Sequence, residues 1–287
     1  MGTPAAPTPG AVRAYLAEFL SDPRVVELPR WLWLPVLHGV VLRRRPAQSA
    51  AKYARIWTPE GSPLAVHTAR QARLLREATG LPVEYAMRYG APGIAGALQK
   101  LPPHPRVVPL YPQYARSTTE SIRDVVGGQV DFVEQFHEHP GYVAALAALV
   151  QERPDVLVMS FHGLPQRAVE RGDPYREQCE RTARLLAEAL QLKPDAYRVT
   201  FQSRFGPARW LQPYTAQVLA ELGAARTRSV HVLCPWFVAD CLETLEEIAI
   251  EGRNIFLDAG GGEFRALPCL NESPLWIEAL ARIATSA

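Results

Sequence analysis

The sequence is poor in the groups that hold metal clusters or cross-link chains. Its 287 residues include only four cysteines, Cys179, Cys234, Cys241 and Cys269. No two are spaced C-x-x-C, which argues against a cysteine zinc site or an iron–sulfur cluster. Cys234 lies in an apolar stretch, where a thiol behaves as a small core side chain. So few thiols fit a reducing compartment. Also lacking is any apolar run of the ~20 residues needed to span a bilayer. The opening Met1-Gly2-Thr3-Pro4-Ala5-Ala6-Pro7 has no apolar core of the signal-peptide kind. These absences give the expectation of a cytoplasmic protein. The net charge is only +2, so no excess of basic side chains points to nucleic acid. Gly260-Gly261-Gly262 is not a G-x-G-x-x-G fingerprint, and no Walker loop occurs.

What is present fits a globular protein. Apolar residues make up 48% and charged residues 21%, and the length suits one large or two ordinary domains. Strand-like and helix-like stretches alternate. The first set has a helix over 11–20, a helix over 64–79 closed by Gly80, a strand over 82–88, a helix over 91–100 and a strand over 106–110. In the second set, a helix over 141–152 leads to the apolar strand Val156 to Phe161. Asp173-Pro174 then opens a long helix to Gln191, as N-cap and first-turn proline. Strands over 197–202 and 230–234, a helix over 215–222, a short strand within 254–262 and a helix over 274–285 complete it. This order predicts an α/β fold with parallel sheets and right-handed crossovers. Its two halves should meet between residues 120 and 140.

The most apolar stretch is Trp31 to Leu42, followed at once by Arg43-Arg44-Arg45. It reads as a core helix, as a lip over an apolar pocket, or as a peripheral contact with a membrane surface.

Chemistry concentrates at two places. The strand Val156 to Phe161 ends on His162, and Gly163 and Pro165 stop it from continuing. Ligands of open α/β sheets sit outside such carboxyl ends. His38, His67, His104, His137 and His139 have no comparable setting. The second place is a helix after the Val230 strand that carries Asp240, Glu243, Glu247 and Glu251. Spacings of three and four put these on one face, where like charges cost ~0.2–0.5 kcal/mol per pair. A solvated face explains the row, and so does a cation path. Spacing of four also suits a π-helical turn, a form found mostly at functional sites. One imidazole with carboxylates suits a divalent cation that binds and then leaves.

Phe161-His162-Gly163-Leu164-Pro165, followed by Arg171-Gly172-Asp173-Pro174-Tyr175, resembles the signature of the ferrochelatase family. So does Cys241-Leu242-Glu243-Thr244-Leu245-Glu246-Glu247-Ile248. Supporting stretches are Gly61-Ser62-Pro63, Arg88-Tyr89, Tyr111-Pro112-Gln113-Tyr114, Phe201-Gln202-Ser203, Gly206-Pro207 to Trp210-Leu211, and Leu270-Asn271 before Pro274. Motifs in the family's order cover nearly the whole chain.

The resemblance implies insertion of Fe(2+) into protoporphyrin IX, giving haem and two protons. It implies two Rossmann-like (chelatase-type) domains, residues 1–125 and 126–265, with the active-site cleft between them. The terminal segment 266–287 is expected to pack back on the first half. His162 and Glu243 would be the catalytic pair, and Glu247 and Glu251 would join them along the metal's path. Ser62, Arg88, Tyr89, Tyr114, Trp210 and Met1 would bind the porphyrin. Iron would be a substrate, with no resident cofactor and no iron–sulfur cluster, in a monomer.

Two departures stand out. Trp236 occupies a position where family members have a small residue. The strand that precedes the family's Gly-Thr-Pro turn is absent before Met1, so about ten further residues, one strand, are expected upstream. Rival readings are a chelatase for another tetrapyrrole or metal, such as coproporphyrin, or cobalt or nickel in sirohydrochlorin, and a porphyrin-binding protein without turnover.

Overall fold

The computed structural model describes residues 1–128, 130–206 and 208–286. Pro207, in one of the stretches quoted above, lies outside them. The chain forms two compact units. The first is Met1–Pro109 with Ala115–Glu134, and the second is Leu110–Tyr114 with Gln135–Ala287. The change therefore comes after Glu134 rather than after residue 125, and Leu110–Tyr114 belongs to the later unit.

The first unit contains a parallel pair of short strands, β1 (Arg106–Val107) and β2 (Asp131–Phe132). Most of its described residues are helical. Pro9–Leu20 starts at Thr8, whose hydroxyl accepts from the Ala11 N–H. Pro63–Thr79 stops at Gly80, which takes the left-handed conformation (φ 69°) that closes a helix without a Cβ clash.

The strand expected over 82–88 does not form a ladder. Its alternation of Val83, Tyr85 and Met87 is real, but only isolated bridges occur, Gly2 with Tyr89 and Met87 with Gly93. The N–H groups of Arg88 and Tyr89 both turn to the carbonyl of Met1. The Trp31–Leu42 stretch is helical, running from Arg30–Val36 into a π-helical turn, Leu37–Val41. The core reading does not hold for it. Trp31 is 76% exposed, and Leu32, Val36 and Val40 are exposed too, while Leu37 and Leu42 point inward.

The second unit is built on one parallel sheet in the order β4-β3-β5-β6. Its strands are β3 (Val156–His162), β4 (Tyr197–Gln202), β5 (Ser229–Leu233) and β6 (Glu263–Ala266). Both sides of β3 are covered, so every residue from Val156 to Phe161 is buried. That is why its sequence is apolar on both faces rather than alternating, with Ser160 the exception. Full burial of such side chains contributes about 1.5–3 kcal/mol each.

The chain runs from β3 to one neighbour, then crosses to β5 on the other side. Right-handed crossovers in opposite directions place their helices on opposite faces. Accordingly Tyr175–Ala189 packs with Pro140–Ala148, whereas Thr215–Ala224 packs with Arg253–Asp258. The carboxyl ends of β3 and β5 therefore form a topological switch point, the crevice where such sheets take ligands.

Two expectations are corrected here. Residues 254–262 carry no strand. The helix Arg253–Asp258 continues from the π-helix and buries Phe256, and β6 begins only at Glu263. The terminal helix, Pro274–Thr285, lies within the second unit, where Trp276 meets Tyr142 and Phe136 and Ala279 abuts Gly141.

Candidate active site

His162 is the last residue of β3 and is half-buried. Its Nδ1 lies 2.7 Å from the carbonyl oxygen of Gly163. A carbonyl only accepts, so in the neutral ring Nδ1 carries the proton and Nε2 the lone pair. The turn that allows this is tight. A Cβ on Gly163 would lie 2.7 Å from the Gln202 carbonyl and 3.1 Å from the Trp210 ring. Trp210 is itself buried, with its indole N–H donating to Phe205 O at 3.0 Å. The hydroxyl of Tyr175 donates to the His162 carbonyl at 2.8 Å.

The acidic row lies on a π-helix, Glu243–Gly252. Asp240 is not part of it. It is buried ahead of the helix, where its carboxylate accepts from Thr244 Oγ1 (2.9 Å) and Asn271 Nδ2 (2.7 Å). Its own N–H donates to Asn271 Oδ1 at 2.9 Å. Asp240 is thus a satisfied anchor for the helix start. Glu243, Glu247 and Glu251 are half-buried, and Glu246 is buried.

Glu247 is held by one residue. The Ser203 N–H donates to Oε1 at 2.7 Å and the Ser203 hydroxyl to Oε2 at 2.5 Å. Burial pushes the Glu247 carboxyl above its usual range. The two Ser203 bonds and the nearby His162 oppose that rise, and Glu243 adds to it. These couplings bring His162, Glu243 and Glu247 into one electrostatic unit. Gln202 ties the surrounding elements together. Its Nε2 donates to Glu243 O at 2.9 Å, and its Oε1 accepts from Ser160 Oγ at 2.6 Å.

Among the described residues, no three His, Cys, Asp or Glu side chains converge as a cage for a metal ion. Burial raises the thiols of Cys179, Cys234, Cys241 and Cys269, which makes them poor nucleophiles and ligands.

The remaining expected site residues divide between the units. Tyr114, in the second, donates its N–H to Gln178 Oε1 at 2.7 Å. Met1, Ser62, Arg88 and Tyr89 belong to the first. Ser62 is buried and accepts from Thr3 Oγ1 at 2.7 Å. Arg88 and Tyr89 converge on Asp22, which sequence reasoning missed. Asp22 Oδ2 accepts from Arg88 Nη2 (2.6 Å), Tyr89 OH (2.7 Å) and Ser121 Oγ (2.6 Å). Burial raises the Tyr89 phenol and keeps it a donor. Ser203 stood in the Phe201-Gln202-Ser203 stretch, but its grip on Glu247 had no local signal.

The comparisons with known proteins agree with one another. The model of the Ferrochelatase family matches residues 1–287. The ferrochelatase of Azoarcus sp. (strain BH72) is 56% identical over 305 aligned positions, covering 98% of this chain and 84% of the relative. That of Nitrosomonas europaea is 53% identical over 308, covering 99% and 85%. Among solved structures, SirB from Bacillus subtilis with Fe3+ superposes with a TM-score of 0.54 at 15% identity, over 78% of this chain and 92% of that one. That likeness concerns the fold.

Proposed function

Since the chain belongs to the ferrochelatase family, and so inserts iron into protoporphyrin in haem biosynthesis, we propose that His162 is the base that takes a pyrrole proton. A free porphyrin carries two N–H protons in a rigid plane, and both must leave before iron can sit between four nitrogens. His162 Nε2 accepts one. The pyrrole N–H bond breaks, its electron pair stays on nitrogen for the metal, and an N–H bond forms on the imidazole. The observation that carries this reading is the 2.7 Å contact of Nδ1 with the Gly163 carbonyl, which in the neutral ring leaves Nε2 as the acceptor. A base that is already oriented loses no time or entropy to reorientation.

Glu243, Glu247 and Glu251 form the path along which iron(II) arrives. Oxygen donors spread along a helix hold such a cation weakly enough to release it. Burial raises the Glu247 carboxyl above its usual range, so iron and a proton compete for it. The second pyrrole proton leaves through the same carboxylates.

The test is anaerobic protein with protoporphyrin IX and Fe(II), read by the appearance of the haem spectrum. Parallel reactions with sirohydrochlorin and Co(II) or Ni(II) address the rival chelatase. Porphyrin binding without turnover would leave only a binding protein.

A peripheral membrane contact is the favoured use of the Trp31 stretch. Its exposed Trp31, Leu32, Val36 and Val40 adjoin exposed Arg30, Arg43 and Arg44. Apolar side chains beside arginines suit an anionic lipid surface. No described helix is long and apolar enough to cross a membrane.

A further inference from the structure

β5 pairs with β3 only as far as Leu233 opposite Met159, while β3 runs on through Ser160, Phe161 and His162. The chain leaving β5 therefore turns beside the free edge of β3. The turn closes with the Phe237 N–H on Cys234 O at 3.0 Å. It brings Trp236 within 5.2 Å of the His162 ring and Phe237 within 6.2 Å, centroid to centroid. Trp236 is in turn fixed from both sides. It stacks on Tyr111 at 5.1 Å and meets Phe237 edge-on at 4.8 Å.

Trp236 is buried, yet its indole N–H has no hydrogen-bond partner among the described residues. Leaving such a donor unpaired is unfavourable, so the ring's shape and position are what the site uses.

We propose that Trp236 is a positioning residue for His162: its ring walls the imidazole, so that only the Nδ1–H tautomer bonded to Gly163 is accessible and Nε2 is aimed at the reacting nitrogen. This rests on the reading of His162 as the base. An imidazole can otherwise flip about Cβ–Cγ, which swaps Nδ1 with Cδ2 and Nε2 with Cε1, breaks the Gly163 contact that sets the tautomer and turns Nε2 away; an aromatic wall on one side removes the space to do so.

The experiment follows the ring directly as well as turnover. Histidine-labelled protein is examined by ¹⁵N NMR, with His162 assigned by its loss in His162→Ala. Trp236→Leu keeps bulk without the aromatic face, and Trp236→Phe keeps the face without the N–H. A thermal melt accompanies each variant. The expected result is one His162 tautomer in wild type and averaged nitrogen shifts in Trp236→Leu. In that variant kcat falls about tenfold, within the ~10² that an ångström-scale misplacement can cost, with KM for Fe(II) unchanged. Trp236→Phe should restore both the single tautomer and the rate. An unchanged tautomer and rate in folded Trp236→Leu overturns the inference and leaves the function of His162 untouched. Loss in Trp236→Phe equal to that in Trp236→Leu also overturns it, by moving the effect to the N–H. If the tautomer responds but His162→Ala still inserts iron, the reading of His162 as base is the one that fails.

Discussion

Ser203 grips the Glu247 carboxylate with its backbone N–H and its hydroxyl together, one to each oxygen. To do so Ser203 takes a left-handed backbone (φ 64°), a conformation that costs a non-glycine residue about 1–2 kcal/mol. The strained residue comes directly after β4 and the carboxylate sits one turn into the π-helix, so the contact joins sheet and helix at the site. Strain kept at such a place is a feature of functional sites.

The first prediction concerns the proton on Glu247. Its folded-state carboxyl is raised, chiefly by burial. The sign follows from linkage: its contribution to stability is fully present below the unfolded value of ~4.3 and is lost as pH rises through the folded value. Glu247→Gln keeps an acceptor for the Ser203 N–H and a donor for its hydroxyl. The variant should therefore melt higher than wild type at pH 8, with the gap shrinking towards pH 4. It should also raise KM for Fe(II) about tenfold, the ~1.4 kcal/mol scale of one lost charge-assisted contact, and KM for porphyrin less. Equal changes in both KM values, or none, would reduce the row to a solvated face.

A second prediction concerns Asp22. Its side chain is 4% exposed, and Arg88, Tyr89 and Ser121 all donate to the same oxygen. Removing one partner of a buried pair leaves the other charge uncompensated, at about 3–5 kcal/mol. Asp22→Ala should lower the unfolding free energy by that scale, read as a lower denaturation midpoint. An unchanged midpoint would mean that Arg88 is solvated and free to serve elsewhere.

How much of this was legible depends on the range of the interaction. The apolar run Val156 to Phe161, the stop at His162-Gly163 and the end of a helix at Gly80 are local signals, and each appears where the sequence put it. The π-helical form was readable from the four-residue spacing of Glu243, Glu247 and Glu251. Asp240 misled because spacing alone placed it on the helix face, whereas Asn271 and Thr244 draw it beneath the helix start. Residues 254–262 misled because Ile255 and Leu257 alternate, though the buried side chain is Phe256 between them. Asp22 gave no signal at all. Its partners stand 66, 67 and 99 residues away, and a polar residue before a proline looks like an ordinary turn.

The exposed apolar stretch gives a third prediction. Replacing Trp31, Leu32 and Val36 together by Ser should abolish sedimentation with vesicles of anionic lipid. Each nearby arginine adds about 1 kcal/mol of attraction at such a surface, so wild-type binding should also weaken as salt rises. Equal binding to neutral vesicles, independent of salt, would remove the arginines from the picture. No sedimentation by wild type would remove the membrane contact altogether.

The last prediction concerns His162 itself. It ends a buried strand but is only half-buried, and its ring is held by the Gly163 carbonyl on its Nδ1 and by Trp236 along one side. A residue that serves mainly as packing would behave differently on truncation from one that serves as a base. If His162 takes the pyrrole proton, His162→Ala should lose the ~10²–10⁴-fold typical of general acid–base catalysis. Its melting temperature should stay close to wild type, because the strand's burial ends at Phe161 and the Tyr175 hydroxyl bonds the backbone carbonyl, not the ring. Porphyrin binding should persist, since the macrocycle's apolar surface is untouched. A structural histidine gives the opposite pair, a lower melt with activity per folded molecule little changed. Turnover and melt are therefore measured on the same preparation. Near wild-type iron insertion by well-folded His162→Ala would mean that the proton leaves by another route, with the carboxylates of the π-helix the next groups to test.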